Sequence, residues 1–143
     1  MYDDILVPTD GSDTVSETLA HALPIATDND ATVHGLYVVD TRITTAATDD
    51  TRTDLEESLE SDGTVAIEAI ERAADEREID VTTALERGIP SKTILEYADE
   101  RNIDLIVIGT HGKSPREKIV SLGSVSERVV DNASIPVLVV RDV

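Results

Sequence analysis

Cysteine, tryptophan and phenylalanine are absent from this chain of 143 residues. Without cysteine it forms no disulfide bonds and offers no thiolate to a metal ion. It also lacks an apolar run of about 18 residues, the length that a membrane-spanning helix needs. The first residues, Met1-Tyr2-Asp3-Asp4, lack the basic region and apolar stretch of a signal peptide. These absences predict a soluble, cytoplasmic protein with no membrane partner.

Basic residues are scarce, with 12 lysines and arginines against 30 aspartates and glutamates and a formal net charge of −18. Nucleic acids and anionic membranes both bind basic surfaces, so this balance argues against both as partners. Acidic residues are spread along the whole chain, and the only lysines are Lys92, Lys113 and Lys118. This distribution resembles that of halophile proteins that work in concentrated salt. An ordinary acidic bacterial protein is the alternative.

Apolar runs alternate with helical patterns along the chain, whose length suits one domain over residues 1–143. Runs without polar alternation predict strands buried on both faces, as in a parallel sheet covered by helices. The predicted strands are Ile5–Val7, Thr32–Val39, Asp80–Leu85, Ile103–Ile108 and Ile135–Val140. The predicted helices are Thr14–Thr27, Asp54–Glu78, Ser91–Arg101 and Ser124–Asn132. A strand followed by a helix, repeated to the end, predicts a doubly wound α/β fold.

Three segments depart from these regular patterns. Pro24 lies inside the first predicted helix and is expected to kink it or end it early. Asp62-Gly63 is expected to break the second predicted helix in the same way. Residues 40–53 contain six threonines and only one large aliphatic residue, Ile43, which predicts a mobile surface loop.

Two loops at the carboxyl ends of strands carry the candidate chemistry, because open α/β sheets bind ligands at this edge. The first strand runs into Pro8-Thr9-Asp10-Gly11-Ser12, and the fourth runs into Gly109-Thr110-His111-Gly112-Lys113-Ser114. Gly123-Ser124 then opens the last helix, whose N-terminal N–H groups can face an anion. Three of the 12 basic residues fall within residues 113–118. Together these features indicate a ligand that carries phosphate.

Each of these features also has a structural interpretation. Gly109 can be a simple turn, Asp10 can cap the first helix, and His111 can be a solvated loop residue. A P-loop is excluded, because Gly112-Lys113 would then require a glycine at position 107, where the chain has Val107. The combination of features therefore carries more weight than any one of them.

Five motifs occur in order along the chain: Ile5-Leu6-Val7-Pro8-Thr9-Asp10-Gly11-Ser12, Tyr37-Val38-Val39-Asp40, Gly109-Thr110-His111-Gly112, Gly123-Ser124-Val125-Ser126-Glu127-Arg128-Val129 and Ile135-Pro136-Val137-Leu138-Val139-Val140. As an ordered set covering the whole chain, they resemble the universal stress protein family. The resemblance implies a Rossmann-like, five-stranded parallel sheet with strand order 3-2-1-4-5. ATP-binding members carry Gly-x2-Gly-x9-Gly-Ser/Thr, which corresponds here to Gly109, Gly112 and Gly123-Ser124. In this chain ten residues rather than nine, Lys113 to Leu122, separate the last two glycines.

The resemblance also implies a binding site for an adenine nucleotide. The residues expected to form it are Pro8, Thr9, Asp10, Val38, Ile108, Gly109, Gly112, Lys113, Gly123, Ser124, Val125 and Ser126. Among them, Asp10 would accept a hydrogen bond from a ribose hydroxyl, and Val38 would offer backbone atoms to adenine. The residues from Gly123 onward would donate hydrogen bonds to phosphates. Lys113 is included for its charge and not for the resemblance.

The implied function is that of a homodimeric stress-response regulator that binds ATP, or ADP or AMP, with Mg²⁺ bridging the phosphates. The final strand, Val137 to Val140, is the expected dimer element, because it would otherwise leave an apolar sheet edge exposed. No paired carboxylates are evident that would hold Mg²⁺, so any ATP turnover should be slow. Two alternatives stay open. One is an interaction scaffold of the same fold that binds no nucleotide, and the other is an enzyme that adenylates or hydrolyses a substrate with His111.

The acidic composition predicts that salt stabilises the folded protein. The Debye length is about 30 Å at 0.01 M salt, so carboxylates repel one another across the domain, and it falls to about 3 Å at 1 M. The melting temperature, followed by circular dichroism, should therefore rise steeply between about 0.01 M and about 1 M KCl. A melting temperature that stays flat over this range would contradict the halophile interpretation.

Overall fold

A computed structural model describes residues 1–110 and 124–141, which form a parallel sheet with helices on both faces. The strands are β1 (Asp4–Thr9), β2 (Thr32–Asp40), β3 (Val81–Gly88), β4 (Leu105–Gly109) and β5 (Val137–Val140). The helices are α1 (Val15–Asn29), α2 (Thr41–Ala46), α3 (Asp49–Glu76), α4 (Pro90–Glu100) and α5 (Ser124–Asn132). Among the described residues, no helix is long and apolar enough to cross a bilayer.

The sheet has five strands in the order β3-β2-β1-β4-β5, and every neighbouring pair is parallel. The predicted fold and strand order are thus confirmed. The chain adds β2 and β3 on one side of β1, then returns to add β4 and β5 on the other side. The direction of winding therefore reverses between β1 and β4, and in open α/β sheets this reversal leaves a crevice at the carboxyl edge.

The central strands have continuous apolar sequences because both of their faces are buried. Ile5 and Val7 face α1 and α3, in a cluster that includes Leu19 and Ile70. Leu6 faces the opposite side of the sheet, where α4 and α5 pack. Three consecutive residues of β1, from Ile5 to Val7, have no solvent exposure. The interpretation of these runs as doubly covered strands is therefore correct.

The expected early end of α1 at Pro24 is wrong, because the helix continues to Asn29, while the alternative expectation of a kink stays a prediction. A proline inside a helix removes one backbone hydrogen bond and costs about 3 kcal/mol. Here Pro24 and Ala20, whose carbonyl loses its partner, both lie on the exposed face, so water can solvate that carbonyl. The opposite face buries Leu19 and Leu23 against the sheet, and each fully buried leucine contributes about 1.5–3 kcal/mol. Burial offsets the cost of the proline.

Residues 40–53, predicted as a mobile loop, instead contain α2 and the beginning of α3. Asp40 is the N-cap of α2, and its side chain accepts a hydrogen bond from the backbone N–H of Arg42. At the other end, Arg52 of α3 donates a hydrogen bond to the carbonyl of Thr45. The loop prediction failed because threonine content measures local propensity, whereas a cap and a tertiary contact decide the structure of this segment.

The predicted break at Asp62-Gly63 is also wrong, because α3 runs without interruption through both residues. Gly63 is buried where α3 crosses the sheet. A Cβ added at Gly63 would lie 2.5 Å from Cδ1 of Tyr37 and 2.8 Å from Cδ1 of Leu85. Gly63 therefore serves close packing of the helix on the sheet and does not act as a helix breaker.

Replacing Gly63 with alanine should destabilise the protein, although alanine is the better helix former. The added methyl group would collide with Tyr37 and force the helix or the ring to move, at a cost of about 1–3 kcal/mol. The free energy of unfolding, measured by urea denaturation, checks this. The matched control is Ser61→Ala at an exposed position of the same helix, which should change stability by less than about 0.5 kcal/mol. Equal stability of the two variants would contradict the packing argument.

Candidate functional site

A cleft of about 350 Å³ opens at the carboxyl edge of the sheet, over the ends of β1 and β4. Nine of the predicted binding residues line it: Pro8, Thr9, Asp10, Val38, Ile108, Gly109, Ser124, Val125 and Ser126. The structure thus brings residues from β1, β2, β4 and α5 to one place. The three other predicted residues, Gly112, Lys113 and Gly123, lie outside the described residues, as does His111. The roles of all twelve in binding stay predictions.

The loop after β1 is held by its own short side chains. Thr9 Oγ1 accepts a hydrogen bond from the N–H of Gly11 at 3.1 Å, and Asp10 Oδ1 accepts one from the N–H of Ser12 at 2.9 Å. Gly11 has a φ of +83°, a conformation that residues with a Cβ rarely adopt. The Asp10 carboxylate therefore shapes the turn before α1 and does not cap the helix, which begins only at Val15.

The end of β4 passes close to α1 at Gly109. A Cβ added there would lie 3.0 Å from Oγ1 of Thr18, a buried residue of α1. Thr18 and Thr14 both line the cleft, and the Thr18 hydroxyl donates to the carbonyl of Thr14 at 3.3 Å. Gly109 therefore lets β4 approach the hydroxyl groups of Thr14 and Thr18. This close approach gives Gly109 a role beyond the simple turn that the sequence also allowed.

One wall of the cleft was missed by the sequence analysis. It is formed by Tyr37, Asp40, Ile43 and Leu59, from the end of β2, α2 and α3. Leu59 packs on the small cluster around Tyr37. Tyr37 and Asp40 belong to one of the ordered motifs but had no predicted role in the site, and Ile43 lies in the segment predicted as a loop. The signal that could have identified α2 is Asp40 directly after a strand, because aspartate is a preferred N-cap residue.

Asp40 and Arg42 form a forked ion pair at the rim of this wall. Arg42 Nε donates to Asp40 Oδ1 at 3.0 Å, and Nη2 donates to Oδ2 at 2.8 Å. Hydrogen bonding to the Arg42 side chain, together with its charge and nearby backbone N–H groups, lowers the pKa of Asp40 below its ordinary value, against the opposing effect of burial. The carboxylate therefore stays ionised at neutral pH, and the pair is lost only as the pH falls through that lowered pKa.

The opposite wall comes from the start of α4. Pro90 and Ile94 line it and face the same space as Leu36 of β2. Pro90 occupies the first turn of α4, where its missing N–H costs nothing. From the sequence, Pro90 predicted only the beginning of a helix. Its position directly after the carboxyl end of β3 was the available signal that it also borders the cleft.

The cleft combines apolar walls with polar groups at its ends. Val38, Ile43, Ile94 and Ile108 offer surface suited to a flat, apolar ring, and Asp10 offers a hydrogen-bond acceptor. The first turn of α5, at Ser124 to Ser126, presents a helix N-terminus to the same space. Backbone N–H groups at such a terminus attract anions. Within residues 1–110 and 124–141, no group of three or more histidine, aspartate or glutamate side chains is placed to hold a metal ion.

Burial raises the pKa of Tyr37, which belongs to the same wall of the cleft as Asp40 and Ile43. Desolvation raises the pKa of its hydroxyl, and the negative charges of Asp62 and Asp10 raise it further. The hydroxyl therefore keeps its proton at neutral pH.

Comparison with known proteins gives one consistent family. The profile of the universal stress protein family matches residues 1–141. Universal stress protein MJ0531 of Methanocaldococcus jannaschii is 40% identical over 142 residues, which are 99% of this chain and 83% of that protein. The solved structure of MJ0577, from the same organism, has a TM-score of 0.89 at 31% identity and covers 100% of this chain and 98% of its own.

Two more distant structures of the same fold were solved with nucleotides. One is a universal stress protein in complex with cAMP, with a TM-score of 0.73 at 23% identity, covering 97% of both chains. The other is the universal stress protein from Archaeoglobus fulgidus in complex with dAMP, with a TM-score of 0.66 at 22% identity, covering 96% of this chain and 97% of that one. At these identities the likeness establishes the shared fold.

Proposed function

The chain belongs to the universal stress protein family, and on that premise we propose that it binds an adenine nucleotide in the cleft at the carboxyl edge of its sheet. The observation that carries this proposal is the composition of the cleft, where apolar walls, a carboxylate and a helix N-terminus surround one space of about 350 Å³. That volume falls within the range of about 300–1,000 Å³ typical of small-molecule sites. The cAMP and dAMP complexes of two distant members of the fold add support.

The residues of the cleft suit the successive parts of a nucleotide. Val38 and Ile108 would contact the base, and Asp10 would accept a hydrogen bond from a ribose hydroxyl. The N–H groups of the first turn of α5, beginning at Ser124, would donate to phosphate oxygens. Gly109 would let the backbone approach the sugar closely. Gly112, Lys113 and Gly123 would complete the phosphate site by their place in the family motif.

We propose ATP as the preferred nucleotide, with ADP and AMP as the other candidates, and Mg²⁺ as a bridge between its phosphates. Magnesium commonly binds through substrate phosphates, water and one or two carboxylates, so it needs no dedicated cluster of protein ligands. When bound, the metal would neutralise phosphate charge in a strongly acidic protein.

The proposed role is that of a cytoplasmic regulator whose homodimer responds to the bound nucleotide. β5 is the proposed dimer element. It is an edge strand, and Val137, Leu138 and Val139 are only partly buried in the single chain. An apolar edge of this kind is protected when a second copy covers it. Sedimentation velocity of the purified protein tests this arrangement, and a monomer would contradict it.

Replacing Asp10 with asparagine should weaken binding of the nucleoside part of the ligand. Asparagine can keep the turn by accepting from Ser12, as Asp10 does at 2.9 Å, but it loses the charge that strengthens a bond to a ribose hydroxyl. Adenosine affinity, measured by titration calorimetry, should fall by about tenfold. Adenosine is used because it carries no phosphate, so the change in electrostatic repulsion does not enter.

The matched control is Asp28→Asn, which removes a carboxylate from an exposed position near the far end of α1. Its adenosine affinity should equal that of the unchanged protein. Absence of adenosine and ATP binding in the unchanged protein, with no adenine nucleotide in material extracted from it, would sink the proposal and favour the nucleotide-free scaffold. Equal affinities of the Asp10 and Asp28 variants would remove only the role given to Asp10.

A further inference from the structure

We propose that Asp40 and Arg42 are positioning residues of the nucleotide site, because their ion pair fixes α2 on the end of β2 and thereby sets Ile43 as a wall against the base. This inference rests on the proposed function and identifies the part of the cleft that contacts the base. Asp40 acts through α2, so its effect on the ligand should depend on Ile43.

The Asp40 carboxylate holds α2 by several bonds at once. It accepts from the backbone N–H of Arg42 at 3.0 Å, in addition to the forked bonds from the Arg42 side chain. Its side chain is only 17% exposed. A helix of six residues has almost no stability of its own, so such a cap decides whether it forms at this place.

α3 provides a second attachment for the same wall. Arg52 Nη2 donates to the carbonyl of Thr45 at 3.5 Å, which ties the end of α2 to α3. On the sheet, Arg87 of β3 pairs with Glu60 and lies 3.6 Å from Glu56, and both glutamates belong to α3. These pairs hold the first half of α3 over the edge of the sheet, where Leu59 continues the wall begun by Ile43.

Ile43 is the residue that this arrangement presents to a ligand. It borders the cleft and is 49% exposed, so that part of its aliphatic surface is open to a ligand. A flat base in the cleft would cover this surface and remove it from water. Val65 of α3 is similarly aliphatic and 64% exposed, but it lies outside the cleft and serves as a natural comparison.

The charge state of the pair also matters for the ligand. Asp40 and Asp10 are both on the cleft, and an unpaired carboxylate there would repel a phosphate-bearing ligand. Arg42 neutralises one of the two. The pair therefore supplies a rigid cap without adding net negative charge to the site.

The test measures binding of three probes, adenosine, ATP and inorganic tripolyphosphate, by titration calorimetry. Ile43→Ala should lower adenosine and ATP affinity by the same factor, about three- to tenfold, because it removes apolar surface that the base would bury. Asp40→Ala should give a similar loss for adenosine. Tripolyphosphate binding by the Ile43→Ala protein should not change, because the probe carries no base.

The double variant Asp40→Ala/Ile43→Ala separates positioning from direct contact. If Asp40 acts through Ile43, the double variant should have about the same adenosine affinity as whichever single variant binds adenosine more weakly. The reason is that the effects of substitutions at coupled residues do not add. Arg42→Gln keeps the backbone cap and should give a smaller loss than Asp40→Ala. Ile43→Val, which keeps a branched side chain, should retain most of the adenosine affinity of the unchanged protein. Each variant is checked by a thermal melt, and Ile43→Ala alters an exposed residue and should fold.

The controls are Val65→Ala for the aliphatic change and Lys92→Gln for the loss of an exposed ion pair, Lys92 with Glu96 on α4. Both should bind adenosine as the unchanged protein does. Unchanged adenosine affinity in Ile43→Ala, or fully additive losses in the double variant, would overturn the inference while leaving the proposed function intact. Failure of the unchanged protein to bind adenosine and ATP would overturn the proposed function first.

Discussion

The burial of β1 in the middle of a parallel sheet is the constraint on which the rest of the molecule depends. This strand pairs with β2 on one side and with β4 on the other, and its residues Ile5 to Val7 are completely buried. Two helices must then cover each face, because an exposed face of such a strand would leave its apolar side chains in water. The chain winds outward from β1 in both directions. The crevice over the end of β1 is a direct consequence of that winding.

The polar groups at the amino ends of the strands are arranged differently from those at the carboxyl ends. At the edge where the strands begin, the Asp104 carboxylate accepts from the N–H groups of Asp3 and Asp4 at 2.9 Å and 3.0 Å. His34 bridges Asp4 and Tyr97 at 2.9 Å each, and burial raises the pKa of Tyr97, so its hydroxyl keeps its proton. A carboxylate accepts hydrogen bonds, so Nε2 of His34 donates to Asp4 while Nδ1 faces the Tyr97 hydroxyl. These groups satisfy one another, whereas the carboxyl edge keeps its polar groups around an open cleft.

The sheet, and about half of the residues that line the cleft, could be predicted from the sequence. The apolar runs at Ile5–Val7 and Ile103–Ile108 predicted central strands because two-sided burial leaves a mark on composition itself. Asp10 and Gly109 were found because they directly follow those strands. The wall at Asp40 and Ile43 was missed because it depends on a cap and on contacts with α3, distant in sequence, and local composition carries no record of such contacts.

The errors of sequence interpretation share one physical origin, and two of them concern the same side of the cleft. Gly63 and residues 40–53 have a composition that does not predict a helix, yet they lie within α2 and α3, where these helices pack beside the cleft. Gly63 lets α3 approach Tyr37, a residue of the cleft wall, more closely than any residue with a Cβ would allow. Asp40 then begins α2 at the point where β2 ends. The positions where helix propensity fails, Gly63 and residues 40–53, therefore belong to the same feature as the cleft wall. Contacts with the sheet set the path of the helices beside the cleft, and these contacts outweigh the helix propensity of the individual residues.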